Sequence, residues 1–181
     1  MKKVKLFVIT GGPGVGKTTL LNALEKRGFF VVMEDARRII QEQIQKDGEG
    51  LPWKNKIYYA QLMLAASLET YQRTIDETSS NVMFFDRGIL DTICYMKMEN
   101  ISISEEMNNL VNSHPYNRKV FILPPWEEIY ATDNERKQTW GEAVNTFDKM
   151  KQTYLEYGYE VVDVPKNNVE QRCKFIVSHI Q

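Results

Sequence analysis

Residues Gly11-Gly12-Pro13-Gly14-Val15-Gly16-Lys17-Thr18 carry the full spacing G-x-x-x-x-G-K-[ST]. Glycines at these places let successive backbone N–H groups turn inward around a phosphate. A helix that begins directly behind them adds its positive dipole end. Lys17 then offers a point charge between the β- and γ-phosphates, and the Thr18 hydroxyl offers a ligand for Mg²⁺. Thr19 is placed to donate to the α-phosphate. Both flanks agree with this reading: an apolar run, Val4 to Thr10, lies before the loop, and Thr19-Leu20-Leu21-Asn22-Ala23-Leu24 has helical character behind it. A chance match in a Gly-rich turn would not carry both flanks. The loop is therefore a candidate site for ATP with Mg²⁺.

A second cluster is Asp86-Arg87-Gly88, which closes the apolar run Val82 to Phe85. An Asp at the end of a buried strand is costly unless it is paired or near a cation. In a parallel sheet that end is also where ligands bind. Asp86 thus reads as the acidic residue of a Mg²⁺ site, and Arg87 suits a transferring phosphoryl group. A strand-end Asp-Arg pair can equally serve a turn alone.

The elements that must position these groups are legible as periodicity. Five short runs rich in Val, Ile and Phe stand out: Val4 to Thr10, Phe29 to Met33, Val82 to Phe85, Val120 to Leu123 and Val161 to Val164. They mostly do not alternate with polar residues, as expected of strands covered on both faces. Helical patterns fill the gaps, so the class is α/β with a parallel sheet. One helix should begin near Ala36 and stop before Gly48-Glu49-Gly50-Leu51-Pro52. A long helix should run from about Lys54 to Thr78, its packed stripe being Ile57, Leu64, Leu68, Tyr71 and Ile75. Gln61 falls on that stripe and must be satisfied in the core or face a cavity with a polar ligand. Trp140, Val144, Phe147 and Tyr154 mark another helix, ending at a Gly158 cap. A last helix covers about Val169 to His179. The segment from Asn100 to Asn117 is weakly patterned and should hold a short helix and loops.

Composition narrows the function classes. The 181 residues suggest a single domain, 1–181. Lys plus Arg total 23 against 24 acidic residues, a net charge of -1 that supplies no basic field for nucleic acid. The apolar start after Met1-Lys2-Lys3 is too short for a signal peptide, and no run approaches the roughly 18 residues that span a membrane. Cys94 and Cys173 are far apart in apolar surroundings, which reads as two buried free thiols in a reducing compartment. A cytoplasmic protein with a small-molecule partner, no nucleic acid and no membrane is the expectation; oligomeric state is left open.

At this point a resemblance becomes specific. Asp86-Arg87-Gly88 after an apolar strand resembles the Asp-Arg or Glu-Arg-Ser motif of thymidylate and deoxynucleoside kinases. Glu34-Asp35-Ala36-Arg37 is similar to the acidic strand end of those enzymes. With Asp86 to Asp91 and Pro124 to Glu127, these segments resemble a bacterial AAA-domain family of small P-loop proteins. The likeness extends to the kinase domain that phosphorylates nicotinamide riboside. It covers nearly the whole chain, which lacks the helical lid domain of ring-forming AAA+ motors.

The resemblance implies a P-loop NTPase fold: a doubly wound five-stranded sheet in the order 2-3-1-4-5, helices on both faces, and a small lid near 126–138. It implies Glu34 as the base that takes the acceptor hydroxyl proton, with Asp86 as the other candidate. It also implies Arg37, Gln61 and Asp91 as substrate contacts. Each has a plainer alternative: Glu34 as a partner of Arg37 or Arg38, Arg37 on an exposed face, Gln61 as a core amide, Asp91 as a helix N-terminal acid. Thr132-Asp133-Asn134-Glu135 has capping-box spacing. Arg136 and Lys137 would follow in that first turn, where the dipole disfavours cations unless an anion is near. This favours a lid Arg136 that reaches the phosphoryl group, the alternative being a solvated basic pair. Val164 to Asn168 occupies the place where related kinases cradle adenine.

No Asn/Thr-Lys-x-Asp segment and no Asp-x-x-Gly switch is present, which argues against a GTPase. His114 and His179 lack partner spacing for metal or catalysis. Two readings follow. The first is an ATP- and Mg²⁺-dependent kinase acting on a hydroxyl of a small, nucleoside-like molecule, with Lys17, Glu34, Asp86, Arg87 and Arg136 as the catalytic set. The second is a slow ATP-hydrolysing switch that acts on a protein partner.

Overall fold

The computed structural model describes residues 4–77, 79–129 and 139–180. Strands β1 (Lys5–Gly11), β2 (Phe30–Val32), β3 (Val82–Asp86), β4 (Lys119–Leu123) and β5 (Glu160–Asp163) form one sheet. Its order is β2-β3-β1-β4-β5 and every neighbouring pair is parallel. The five apolar runs are thus the five strands, and the expected order is the observed one. Among the described residues the helices are α1 (Lys17–Glu25), α2 (Ala36–Gln45), α3 (Lys56–Glu77), α4 (Ile89–Met98), α5 (Glu105–Ser113), α6 (Trp140–Glu156) and α7 (Val169–His179).

The chain divides into two compact units. The first, built from Met1–Val32, Ser80–Arg87 and Tyr116–Gln181, holds the whole sheet with α1, α6 and α7. Phe7, Ile9, Phe84, Phe121 and Leu123 turn to one face, where they meet Leu20, Leu21 and Leu24 of α1 and Cys173 and Ile176 of α7. The intervening residues turn to the other face, where Thr10 Oγ1 lies 3.9 Å from Met150 Sδ of α6. Helices therefore cover both faces. That is why the central strands read as continuous apolar runs. The edge strands β2 and β5 carry exposed or half-buried residues instead.

The second unit, Met33–Ser79 with Gly88–Pro115, is helical: α2 through α5. The weakly patterned segment holds α5, whose N-cap Ser104 accepts the Met107 N–H at 3.1 Å. In α3 the buried positions are Tyr59, Ala60, Leu64, Ala66, Thr70, Tyr71 and Thr74. This corrects the expected stripe, since Ile57 and Ile75 are exposed. The packed face is turned by about one residue step, ~100° in a helix. The packed face takes in the small residues Ala60, Ala66, Thr70 and Thr74 beside Tyr59, Leu64 and Tyr71. The two buried threonine hydroxyls are bonded, Thr74 Oγ1 donating to the Thr70 carbonyl at 2.6 Å and Thr70 Oγ1 to Asp35 Oδ2 at 2.8 Å.

The expected Thr132–Glu135 capping box, and most of the expected lid, lie outside the described residues. The box that is observed starts α6, where Thr139 N–H donates to Glu142 Oε2 at 2.6 Å and Thr139 Oγ1 accepts the Glu142 N–H at 3.3 Å. Cys94 and Cys173 are free and buried, as expected.

Tyr95 of α4 packs edge-on to Tyr59 of α3, with ring centroids 5.5 Å apart. Its hydroxyl is buried without a hydrogen-bond partner among the described residues. Burial pushes the phenol up to about 12, with Glu99 and Tyr59 adding to the shift. The unfolded chain ionises Tyr95 first, near pH 10, so folding stability falls between pH 10 and 12. Tyr95→Phe removes an unbonded polar atom, so we expect its urea midpoint at pH 8 to equal or exceed the wild type's. Between pH 10 and 12 its midpoint should fall less steeply; an equally steep fall would assign the slope to other groups.

Candidate functional site

In the first unit the chain leaves β1 at Gly11, pressed against the end of β4. A Cβ at Gly11 would sit 2.9 Å from the Leu123 carbonyl oxygen, so the main chain passes where no side chain fits. Gly14 and Gly16 then take left-handed backbone at φ 75° and 79°. These angles favour glycine and produce the curl of the loop. Between them the Val15 side chain, 3% exposed, plugs the loop into the core. Pro13, Thr18 and Thr19 are exposed.

Helix α1 starts from Gly16 with no side-chain cap and no acidic residue in its first turn. Helix α2 shares this uncapped start, whereas Asp91, Ser104, Thr139 and Asn168 supply side chains that bond at the starts of α4, α5, α6 and α7. The dipole end and first-turn N–H groups of α1 follow directly on the glycine loop, the kind of helix start that can take an anion.

Lys17 is 9% exposed and Asp86 is 4% exposed. Lys17 Nζ donates to Asp86 Oδ1 at 2.5 Å. The end of β3 is thus joined to the start of α1 by a buried ion pair. Next in sequence, Arg87 has φ 69°, which is uncommon for a side-chain-bearing residue. Its N–H donates to the Ile9 carbonyl at 3.0 Å, and this bond holds the bend. Loop, Lys17, Asp86 and Arg87 therefore gather in one unit.

One residue of this cluster was not legible from motifs. Arg172 of α7 is 5% exposed, and its Nη2 donates to the Val15 carbonyl at 3.1 Å. Burial lowers its pKa from the ordinary guanidinium value. The available signal was an Arg flanking the apolar stripe Val169, Cys173, Ile176, Ile180, where a charge is out of place.

Four candidates belong to the second unit. Glu34 is half-buried and follows β2. Its neighbour Asp35 is the acid that binds Arg38, accepting from Nη2 at 2.8 Å and Nε at 3.2 Å. Arg38 Nη1 also donates to Glu42 Oε1 at 2.9 Å; the bond to Asp35, then that to Glu42, raises the pKa of the Arg38 guanidinium. Arg37 is exposed. Gln61 is exposed as well, which corrects its expected place on the packed stripe. Asp91 is buried, and its Oδ2 accepts the Gly88 N–H at 2.8 Å in the capping box of α4. Arg136 lies outside the described residues.

Among the described residues no three His, Cys, Asp or Glu side chains cluster in a way that could hold a metal ion. No helix among them is long and apolar enough to cross a membrane.

Comparison with known proteins places this geometry. The chain is similar to thymidylate kinase from Candida albicans, at 20% identity with a TM-score of 0.66 over 98% of this chain and 91% of that one. It is similar to deoxyadenosine kinase from M. mycoides, at 18% identity and TM-score 0.63 over 97% and 98%. A NadR protein in complex with NR shares 17% identity and a TM-score of 0.68, over 98% of this chain and 50% of that one. At these identities the likeness establishes the fold, that of the P-loop kinases. A nucleotide-binding protein from Syntrophotalea carbinolica is 34% identical over 92 residues, 48% of this chain. That match spans 32% of the relative's length. Residues 6–172 match the family described as AAA domain, and the chain belongs to that family.

Proposed function

We propose that the protein transfers the γ-phosphoryl group of ATP to a hydroxyl of a small, nucleoside-like acceptor. The observation that carries this reading is the buried Lys17–Asp86 pair beside an uncapped helix start and a glycine-curled loop. Lys17 is held ready by a carboxylate and exchanges it for phosphate oxygens when nucleotide binds. The acceptor oxygen attacks the γ-phosphorus in line as the bridging bond to the β-phosphate breaks. ADP leaves with the bonding pair, and the hydroxyl proton passes to Glu34, with Asp86 as the other candidate base. Arg87, together with Arg136, stabilises the charge on the transferring group. Arg37, Gln61 and Asp91 are the proposed acceptor contacts.

Thr18 and Asp86 are hard oxygen donors, a pair suited to Mg²⁺, which takes few protein ligands and keeps waters and phosphate oxygens for the rest. When bound, that ion neutralises phosphate charge.

A second reading, a slow ATPase switch acting on a protein partner, draws on one feature of the second unit. Trp53 and Ile57, 65% and 57% exposed, line a groove of about 680 Å³. Such apolar exposure suits a partner surface.

ATP turnover in Mg²⁺ buffer, with and without pooled nucleosides, ribosides and sugars, separates the two. The kinase reading expects one pool to accelerate ADP formation and a member of it to gain a phosphate by mass spectrometry. Turnover that stays slow and indifferent to every pool would favour the switch. Lys17→Ala should lose about 100-fold or more of the turnover. Glu34→Gln should lower kcat about 10²- to 10⁴-fold while leaving the KM for ATP near the wild-type value. A Glu34→Gln enzyme of normal kcat would pass the base role to Asp86.

A further inference from the structure

Arg172 sits in the first turn of α7, in the core of the first unit, and is nearly sealed from water at 5% exposure. Holding it there has several costs. A buried guanidinium loses hydration, and no carboxylate pairs with it among the described residues. It lies near the positive end of its helix dipole. Its Nε is buried with no hydrogen-bond partner among the described residues. Against these stands the Nη2 bond to the Val15 carbonyl at 3.1 Å.

That carbonyl belongs to the peptide joining Val15 to Gly16. In a trans peptide the C=O and the following N–H point in opposite directions. Fixing the Val15 oxygen on Arg172 therefore turns the Gly16 N–H away from α7. Gly16, at φ 79°, forms one side of this peptide and leaves it easier to flip. A peptide that ends on a left-handed glycine gains from an outside anchor if its N–H is to be ready for an anion.

We propose that Arg172 is a positioning residue of the phosphate loop: it locks the Val15–Gly16 peptide with the Gly16 N–H toward the nucleotide phosphates and sets a weakly screened positive charge behind them. The inference rests on the nucleotide-binding reading of the loop and extends it to a residue outside the motif.

The test is calorimetric titration of wild type, Arg172→Met and Arg172→Gln with ATP and with tripolyphosphate, alongside urea unfolding of each without ligand. Arg172→Met should weaken both ligands about 10- to 100-fold, the worth of a lost charge-assisted contact. Arg172→Gln, which can still donate to the Val15 carbonyl, should lose less. The ligand-free urea midpoint of Arg172→Met should equal or exceed that of wild type, because a buried charge without a counter-ion is gone. A purely structural arginine would give a lower midpoint, and that result overturns the proposal. Failure of Arg172→Met to fold does the same. So does an Arg172→Met protein that binds tripolyphosphate as tightly as wild type. If wild type binds neither ligand, the nucleotide reading fails and takes the proposal with it; equal binding by wild type and variants removes only Arg172.

Discussion

A cation taken out of water must be met by a carboxylate, by dipoles or by a ligand, and this chain keeps two such cations against one loop. Lys17 is answered by Asp86 at 2.5 Å, both nearly buried. Arg172 is answered by the Val15 carbonyl. Removing one member of a buried ion pair typically costs about 3–5 kcal/mol, because the other charge is stranded. The register of β3 beside β1 is therefore tied to the first residue of α1. Ile9 lies opposite Asp86 in the sheet, and the Arg87 N–H closes onto the Ile9 carbonyl.

The loop itself is shaped by close approach as much as by charge. Gly11 lies where a Cβ would meet the β4 main chain, so β1 and β4 run side by side up to the last residue before the curl. From there the left-handed glycines turn the backbone, Val15 anchors it in the core, and α1 departs with its first-turn donors uncapped. All five strands end in the same direction, so these features collect at the carboxyl edge of the sheet, where open α/β sheets bind ligands.

Several helices began where residue chemistry placed them, because caps and breakers act over one turn. The last helix, expected over about Val169 to His179, runs over Val169–His179, with Asn168 as the N-cap that the structure adds. The stop after α6 was readable from Gly158, which takes φ 80°. The rotation of α3 was not. Ile57 and Ile75 look like core residues in a periodicity count, yet Ala60, Ala66, Thr70 and Thr74 do the packing. Small and hydroxyl-bearing residues allow close contact between helices, and their burial depends on which neighbour arrives. Gln61 was misplaced for the same reason. Asp35, next to Glu34, proved to bind Arg38 together with Glu42, since adjacent carboxylates differ only in the direction the backbone points them.

Sequence alone determined the phosphate loop, the five strands and the family. Each is encoded by local spacing: glycines at fixed intervals, a Lys-Thr pair at a helix start, and β-branched runs of strand length. Tertiary structure alone decided that Lys17 pairs with Asp86 and that Arg172 reaches the loop from the far end of the chain. These contacts join residues 69 and 157 positions apart, and their existence depends on crossovers and side-chain directions that no short window of residues contains. A buried charge announces in sequence that it needs a partner, but only the fold says which partner it has.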